Sequence, residues 1–128
     1  MILLDTCALL WWTLAPDDLS AKAKKACDKI NEHGACISSI SIWEIGIKLK
    51  KGSLHMDDDL NGYVNRLRLL GSIDIIPVDE QTWIKNLALD WNHRDPADRT
   101  IVATAMMKNI PIVSKDRIIR DFYKKTIW

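Results

Sequence analysis

Paired cysteines are missing from this chain. Its 128 residues hold only Cys7, Cys27 and Cys36, an odd number with no Cys-x-x-Cys spacing. That excludes a disulfide-stapled scaffold and a cysteine-rich zinc module, and the three thiols are expected to be reduced, small buried hydrophobes in a reducing compartment. An excess of one charge is also missing. Lys and Arg number 18 against 17 Asp and Glu, a net charge of +1, so no global field announces a polyanionic partner and any nucleic-acid footprint has to be local. No long apolar run occurs. The opening MILLDTCALLWWTLAPDD lacks a basic start and is broken by Asp5, so it reads as neither a signal peptide nor a spanning helix, and a cytoplasmic protein without membrane contact is expected. His33, His55 and His93 are scattered without helical pairing, and the Asp57-Asp58-Asp59 run lacks the longer ligand pattern of a calcium loop. There is no repeat, low-complexity tract or linker. At 48% hydrophobic and 27% charged, residues 1–128 read as one globular domain with a sizeable core.

What is present is an alternation of short apolar runs and helical spacing. Residues 2–4 end at an acid and are followed by a helical pattern over 6–15 that Pro16 stops. Residues 20–31 form an Ala- and Lys-rich helical stretch ending near Gly34, and 35–38 read as a second strand. Ser41-Ile-Trp-Glu44 has the form of a capping box and opens a helix to Lys51-Gly52. Leu60, Tyr63, Val64, Leu67 and Leu70 mark a further helix, and residues 73–78 a strand whose Pro77 suits a sheet edge. Ile84, Leu87, Ala88 and Trp91 mark another helix. Asp95-Pro96 caps the next one, whose inward face is Ile101, Val102, Ala105 and Met106. Residues 110–114 read as a strand, 116–123 as a short helix and 126–128 as a last strand. The alternation predicts an α/β fold with a parallel sheet covered on both faces.

Four acids far apart in the chain, Asp5, Glu44, Asp98 and Asp116, fall at similar junctions between such runs. Singly, each has an ordinary explanation: Asp5 or Thr6 capping the first helix, Glu44 returning the capping box, Asp95 and Asp98 favouring a helix N-terminus, Asp116 capping the last helix. Together these explanations weaken, because in a parallel sheet the junctions gather at the carboxyl edge, where ligands bind. Two carboxylates ~4 Å apart repel by about 4 kcal/mol at an effective dielectric near 20. A fold that draws several together offsets this with protons or a cation. Oxygen donors without a Cys–His set favour a hard ion such as Mg²⁺ or Mn²⁺ over zinc, and phosphodiester hydrolysis is the chemistry that suits this inventory.

Four blocks, in order, carry a resemblance. They are Leu-Leu-Asp5-Thr6, then Ser38-Ser39-Ile-Ser41-Ile-Trp43-Glu44-Ile with Lys48, then His93-Arg94-Asp95-Pro96-Ala-Asp98-Arg99 with Ile-Val-Ala-x-Ala downstream, and Ile112-Val113-Ser114-x-Asp116. The set resembles the PIN-domain family, and within it the VapC-like toxin ribonucleases of toxin–antitoxin pairs, nearly end to end. The resemblance implies a three-layer α/β/α sandwich with a central parallel sheet of about five strands. It implies Mg²⁺ or Mn²⁺ held by Asp5, Glu44, Asp98 and Asp116, cleavage of RNA, a homodimer, and a cognate antitoxin whose tail lies in the active-site groove. Carried onto this chain, Asp5 and Asp98 are the direct ligands. Glu44 holds or deprotonates the attacking water, and Asp116 acts through water or on a second ion. Thr6 and Ser114 would orient these carboxylates by hydrogen bonds, Cys7 stands where relatives often carry a polar residue and would alter the pocket's rim without removing a ligand, and Asp95 is read as a cap with a pocket role as the minority alternative.

Lys48, Lys50 and Lys51 follow Glu44, and Lys115, Arg117 and Arg120 flank Asp116. Such groups are usually a solvated face, yet they lie where an RNA backbone needs positive charge, so Lys48, Arg99 and Arg94 are candidate phosphate contacts. His93-Arg94, just before the acid-bearing helix, is a further candidate contact. Of Trp11, Trp12 and Trp43, at least one of the adjacent pair belongs in the core. An exposed one suits a protein partner or an unpaired base. Two readings from other classes stay open: a PIN-like module that binds RNA or protein without cutting, and a receiver-like phosphotransfer domain, disfavoured because Asp5 is alone in its segment.

Overall fold

Five short strands, β1 (Ile2–Leu4), β2 (Ala35–Ser38), β3 (Ile73–Ile76), β4 (Ile112–Val113) and β5 (Thr126–Ile127), form one sheet in the order β3-β2-β1-β4-β5, with every pairing parallel. This computed structural model describes all residues, Met1–Trp128. The helices between the strands are α1 (Thr6–Leu14), α2 (Ala21–Cys27), α3 (Ile30–His33), α4 (Ser39–Lys50), α5 (Leu60–Leu69), α6 (Glu80–Ala88), α7 (Pro96–Lys108) and α8 (Arg117–Phe122). They cover both faces of the sheet, as the alternation requires.

The period-2 alternation of the strands divides the core in two. Leu4, Ala35, Ile37, Ile73 and Val113 point to one face and pack with α1 to α5 through Ala8, Leu9, Ala23, Ile30, Ile45, Tyr63 and Leu67. Leu3, Cys36 and Ile112 point to the other and pack against Ile101, Val102 and Ala105 of α7 and Ile119 of α8. Strands buried on both faces have no polar positions to alternate with, so β1, β2 and β4 read as nearly continuous apolar runs.

Several elements depart from expectation for local reasons. The stretch over residues 20–31 breaks at Asp28-Lys29, and hydrogen bonding restarts from the Lys29 carbonyl into α3. α3 ends on Gly34, whose φ of 75° is open to glycine. The capping box at Ser41 is not used. β2 runs directly into α4, so Ser38 is the N-cap, its Oγ accepting from the Ile40 N–H at 3.3 Å, while Ser41 is fully buried one turn further on. α6 starts at Asp79, which caps it through the Thr82 N–H, and stops at Ala88. Trp91 therefore lies beyond the helix, stacked on Phe122 at 4.5 Å. β3 is an edge strand and ends before Pro77, which has no N–H to donate.

Candidate active site

From β1 the chain moves outward through β2 to β3, then crosses back to place β4 on the other side of β1. That reversal opens a crevice beyond the carboxyl ends of β1 and β4, the position where α/β sheets bind ligands. Asp5 follows β1 and Asp116 follows β4, so the topology alone sets these two acids on either side of it. α4, leaving β2, brings Glu44 and Lys48, and the first turn of α7 brings Asp98. With Thr6, Cys7, Trp11 and Lys115, these residues line one cleft of about 280 Å³.

Each carboxylate is oriented by a hydrogen bond, and Asp5 also by the Ser114 side chain. Asp5 Oδ1 accepts from the Ala8 N–H at 2.8 Å, and Asp116 Oδ1 from the Ile118 N–H at 2.8 Å. Both acids are therefore N-caps, and the capping and pocket readings hold for the same side chains. Asp95 is the cap of α7, accepting from the Asp98 N–H at 3.0 Å, and does not line the cleft. Glu44 is not part of a capping box. Its Oε1 accepts from the Thr6 hydroxyl of α1, and Thr6 Oγ1 also lies 2.9 Å from Ser41 Oγ. Asp98 Oδ2 is bound by His93 Nε2 at 2.8 Å. Ser114 lies fully buried behind the cleft, its Oγ accepting from the Asp116 N–H at 3.1 Å.

The acids feel one another. Asp5 is 7% exposed, and burial pushes its carboxyl up to about 6; Ser114 and the Ala8 N–H oppose this, while the charges of Asp98 and Asp116 add to it. Burial also raises Glu44, against the pull of Thr6 and with the push of Asp95 and Asp98. Asp98 is raised by burial first, then by Asp95 and Asp116, with the His93 hydrogen bond acting in the other direction. Desolvated carboxylates that raise one another form a site that a bound cation would relieve.

The tight convergence expected from the sequence is not what the structure holds. No three His, Cys, Asp or Glu side chains close together as a metal cage; instead each acid is pinned at its own helix, and the set faces a common cleft. The donor chemistry still fits a hard divalent ion, because the carboxylates offer only oxygen and, apart from the Ser114 contact of Asp5, one oxygen of each is left without a protein donor.

Arg99, Arg94 and Cys7 stand in three different settings. Arg99 is not available to a phosphate: its guanidinium donates to the carbonyls of Asn86 (2.6 Å), Leu89 (3.1 Å), Trp91 (2.5 Å) and His93 (3.0 Å) and to Asn86 Oδ1 (3.4 Å), clamping the loop after α6 onto α7. Arg94 is exposed and outside the cleft. Cys7 is exposed in the cleft rather than buried in the core; Cys27 and Cys36 are buried as expected. Trp11 joins Cys7 at the cleft because the two are four residues apart on α1 and share a face. Its ring packs 5.4 Å from Trp128, with Lys115 Nζ 5.8 Å from the ring centroid. Neither Trp11 nor Trp12 is fully buried, and Trp43 is 61% exposed. That same i, i+4 relation from Cys7 was the available signal for Trp11; nothing local signalled the bond between His93 and Asp98.

The PIN-domain family model matches residues 2–125. The chain belongs to the PIN-domain family. Its architecture is also that of solved PIN structures. A toxin–antitoxin complex from Klebsiella pneumoniae is similar at TM-score 0.69 and 19% identity, covering 100% of this chain and 97% of that one. VapC20 of Mycobacterium tuberculosis, described as a toxin that cleaves the sarcin–ricin loop, is similar at 0.66 and 19%, covering 94% of each chain. FitAB bound to a DNA fragment is similar at 0.65 and 20%, covering 98% of this chain and 90% of that one. No curated protein sequence matches this PIN domain. The five-stranded parallel sheet with helices on both faces is thus the PIN fold, and its acid-lined crevice lies at the carboxyl edge of that sheet.

Proposed function

We propose that this PIN domain, a single unit over residues 1–128, is a metal-dependent endoribonuclease and the toxin of a toxin–antitoxin module. The observation that carries the reading is one cleft holding Asp5, Glu44, Asp98 and Asp116 beside Lys48 and Lys115. Structural neighbours described as toxins, one of them as cleaving the sarcin–ricin loop, support it. Asp5 and Asp98 would hold Mg²⁺ or Mn²⁺, with Asp116 acting through water or on a second ion. When bound, such an ion neutralises phosphate charge and lowers the pKa of a coordinated water.

The chain's own groups do the rest. With Glu44 Oε1 held by Thr6, Oε2 is the oxygen left to take a proton from the attacking water, and burial makes it a stronger base than a solvated carboxylate. Lys48 on α4 and Lys115 in the loop after β4 counter the charge of the scissile phosphate. The partners that go with this role are an RNA substrate and a cognate antitoxin, for a cytoplasmic homodimer. The test is cleavage of single-stranded RNA in Mg²⁺ or Mn²⁺ by the wild type against Asp5→Asn and Asp98→Asn, with folding verified for each. Cleavage lost in both variants and in EDTA supports the mechanism, and cleavage surviving either condition refutes it. The open spacing of the acids favours, as a second reading, a PIN module that binds RNA without cutting, and tight RNA binding with no turnover in any divalent ion would decide for it.

A further inference from the structure

Asp98 takes its hydrogen bond from a histidine of the irregular loop before α7, and that loop is held from three directions. His93 Nε2 lies 2.8 Å from Asp98 Oδ2, with both side chains about one-fifth exposed. An ionised carboxylate only accepts, so Nε2 carries the hydrogen in this pair. The His93 ring packs 4.8 Å from the Trp91 ring, which stacks at 4.5 Å and 8° on Phe122 of α8. The backbone carbonyls of Trp91 and His93 both accept from Arg99, the residue after Asp98 on α7. The helix that carries the acid therefore also grips the loop that carries its partner.

We propose that His93 is a positioning residue that holds Asp98 Oδ2 and so turns Oδ1 toward the cleft for a divalent cation. The inference rests on the metal-dependent reading above. A bond that fixes a ligand's orientation typically changes metal affinity about 10- to 100-fold when removed, whereas a purely structural hydrogen bond changes only folding. Three variants separate the two. His93→Ala removes ring and donor, His93→Phe keeps an aromatic ring against Trp91 without the donor, and His93→Gln returns an N–H donor. Mn²⁺ binding to the full chain at one fixed pH, read by electron paramagnetic resonance of free Mn²⁺ and without RNA, is the measurement. The expected result is a Kd raised about 10- to 100-fold in His93→Phe, recovered toward wild type in His93→Gln, with thermal unfolding of His93→Phe close to wild type. A folded His93→Phe that binds Mn²⁺ as the wild type does overturns the proposal and leaves the nuclease reading standing. A wild type that binds no Mn²⁺ overturns both.

Discussion

Thr6 donates its hydroxyl hydrogen to Glu44 across 38 positions of sequence, tying the first turn of α1 to the second turn of α4. The bond holds one oxygen of a partly desolvated carboxylate and leaves the other facing the cleft. Thr6→Val keeps the shape and removes the donor. Because Thr6 is 5% exposed, Glu44 and Ser41 then lose a buried partner, at a cost of about 1–3 kcal/mol. Under the proposed function, cleavage should fall through kcat more than KM, since the two lysines that would meet RNA in the ground state are untouched. Steady-state kinetics beside a denaturant titration checks both.

The raised Asp5 carboxyl makes stability depend on pH in the absence of metal. Its folded carboxyl holds a proton up to about pH 6, its unfolded one only to 3.8. The folded state therefore binds the extra proton, and the stability this group contributes is complete below pH 3.8 and lost as pH rises through 6. Asp5→Asn keeps an N-cap acceptor and removes the charge. Without divalent ions, its stability relative to wild type should improve on going from pH 4 to pH 7.5 by on the order of 3 kcal/mol. Urea unfolding of both proteins at the two pH values measures this, and an unchanged difference would show that the burial of Asp5 is not felt as a charge.

Arg99 belongs to stability rather than to RNA. Four backbone carbonyls and one side-chain oxygen converge on its guanidinium, a fork that lysine cannot reproduce. Arg99→Lys is expected to lose about 2–4 kcal/mol of folding stability, because several part-buried carbonyls are left without donors. Chemical denaturation is the check, and a loss below about 0.5 kcal/mol, the level of an ordinary surface change, would contradict the clamp.

Lys48 and Lys115 should behave in the opposite way. Both line the cleft; neither ammonium group is in a hydrogen bond or ion pair, and Lys115 only lies over the Trp11 ring, so Lys48→Met and Lys115→Met should leave unfolding midpoints nearly unchanged. Each should weaken RNA binding and reduce the salt slope by about 0.7. RNA binding measured without divalent ions in an Asp98→Asn background, which the proposed function expects to be inactive, reads the slope at several salt concentrations.

The parallel sheet and the cleft acids were legible because both follow from local pattern. Apolar runs ending in Asp5 and in Ser114-Lys115-Asp116 mark strand ends, and a parallel sheet puts strand ends at one edge. What was not legible depends on tertiary contact. Ser41-x-x-Glu44 has a capping-box spacing, yet Ser38 at the end of β2 already satisfies the first turn, which frees Glu44 for Thr6. Arg99 sits beside Asp98 in sequence, but on a helix adjacent residues diverge by about 100°, so one faces the cleft and the other the loop after α6. Cys7 reads as a small hydrophobe by type, whereas its place after Asp5-Thr6 in the family pattern already puts it at the pocket's rim, where it is exposed.

Crystals soaked in Mn²⁺ offer the most direct view of the central claim, that separate acids share a cation. The expected result is an anomalous peak in the cleft with carboxylate oxygens of Asp5 and Asp98 at about 2.0–2.2 Å, absent from crystals of Asp5→Asn. A cleft without a peak at saturating Mn²⁺, or a peak that touches neither carboxylate, would contradict it.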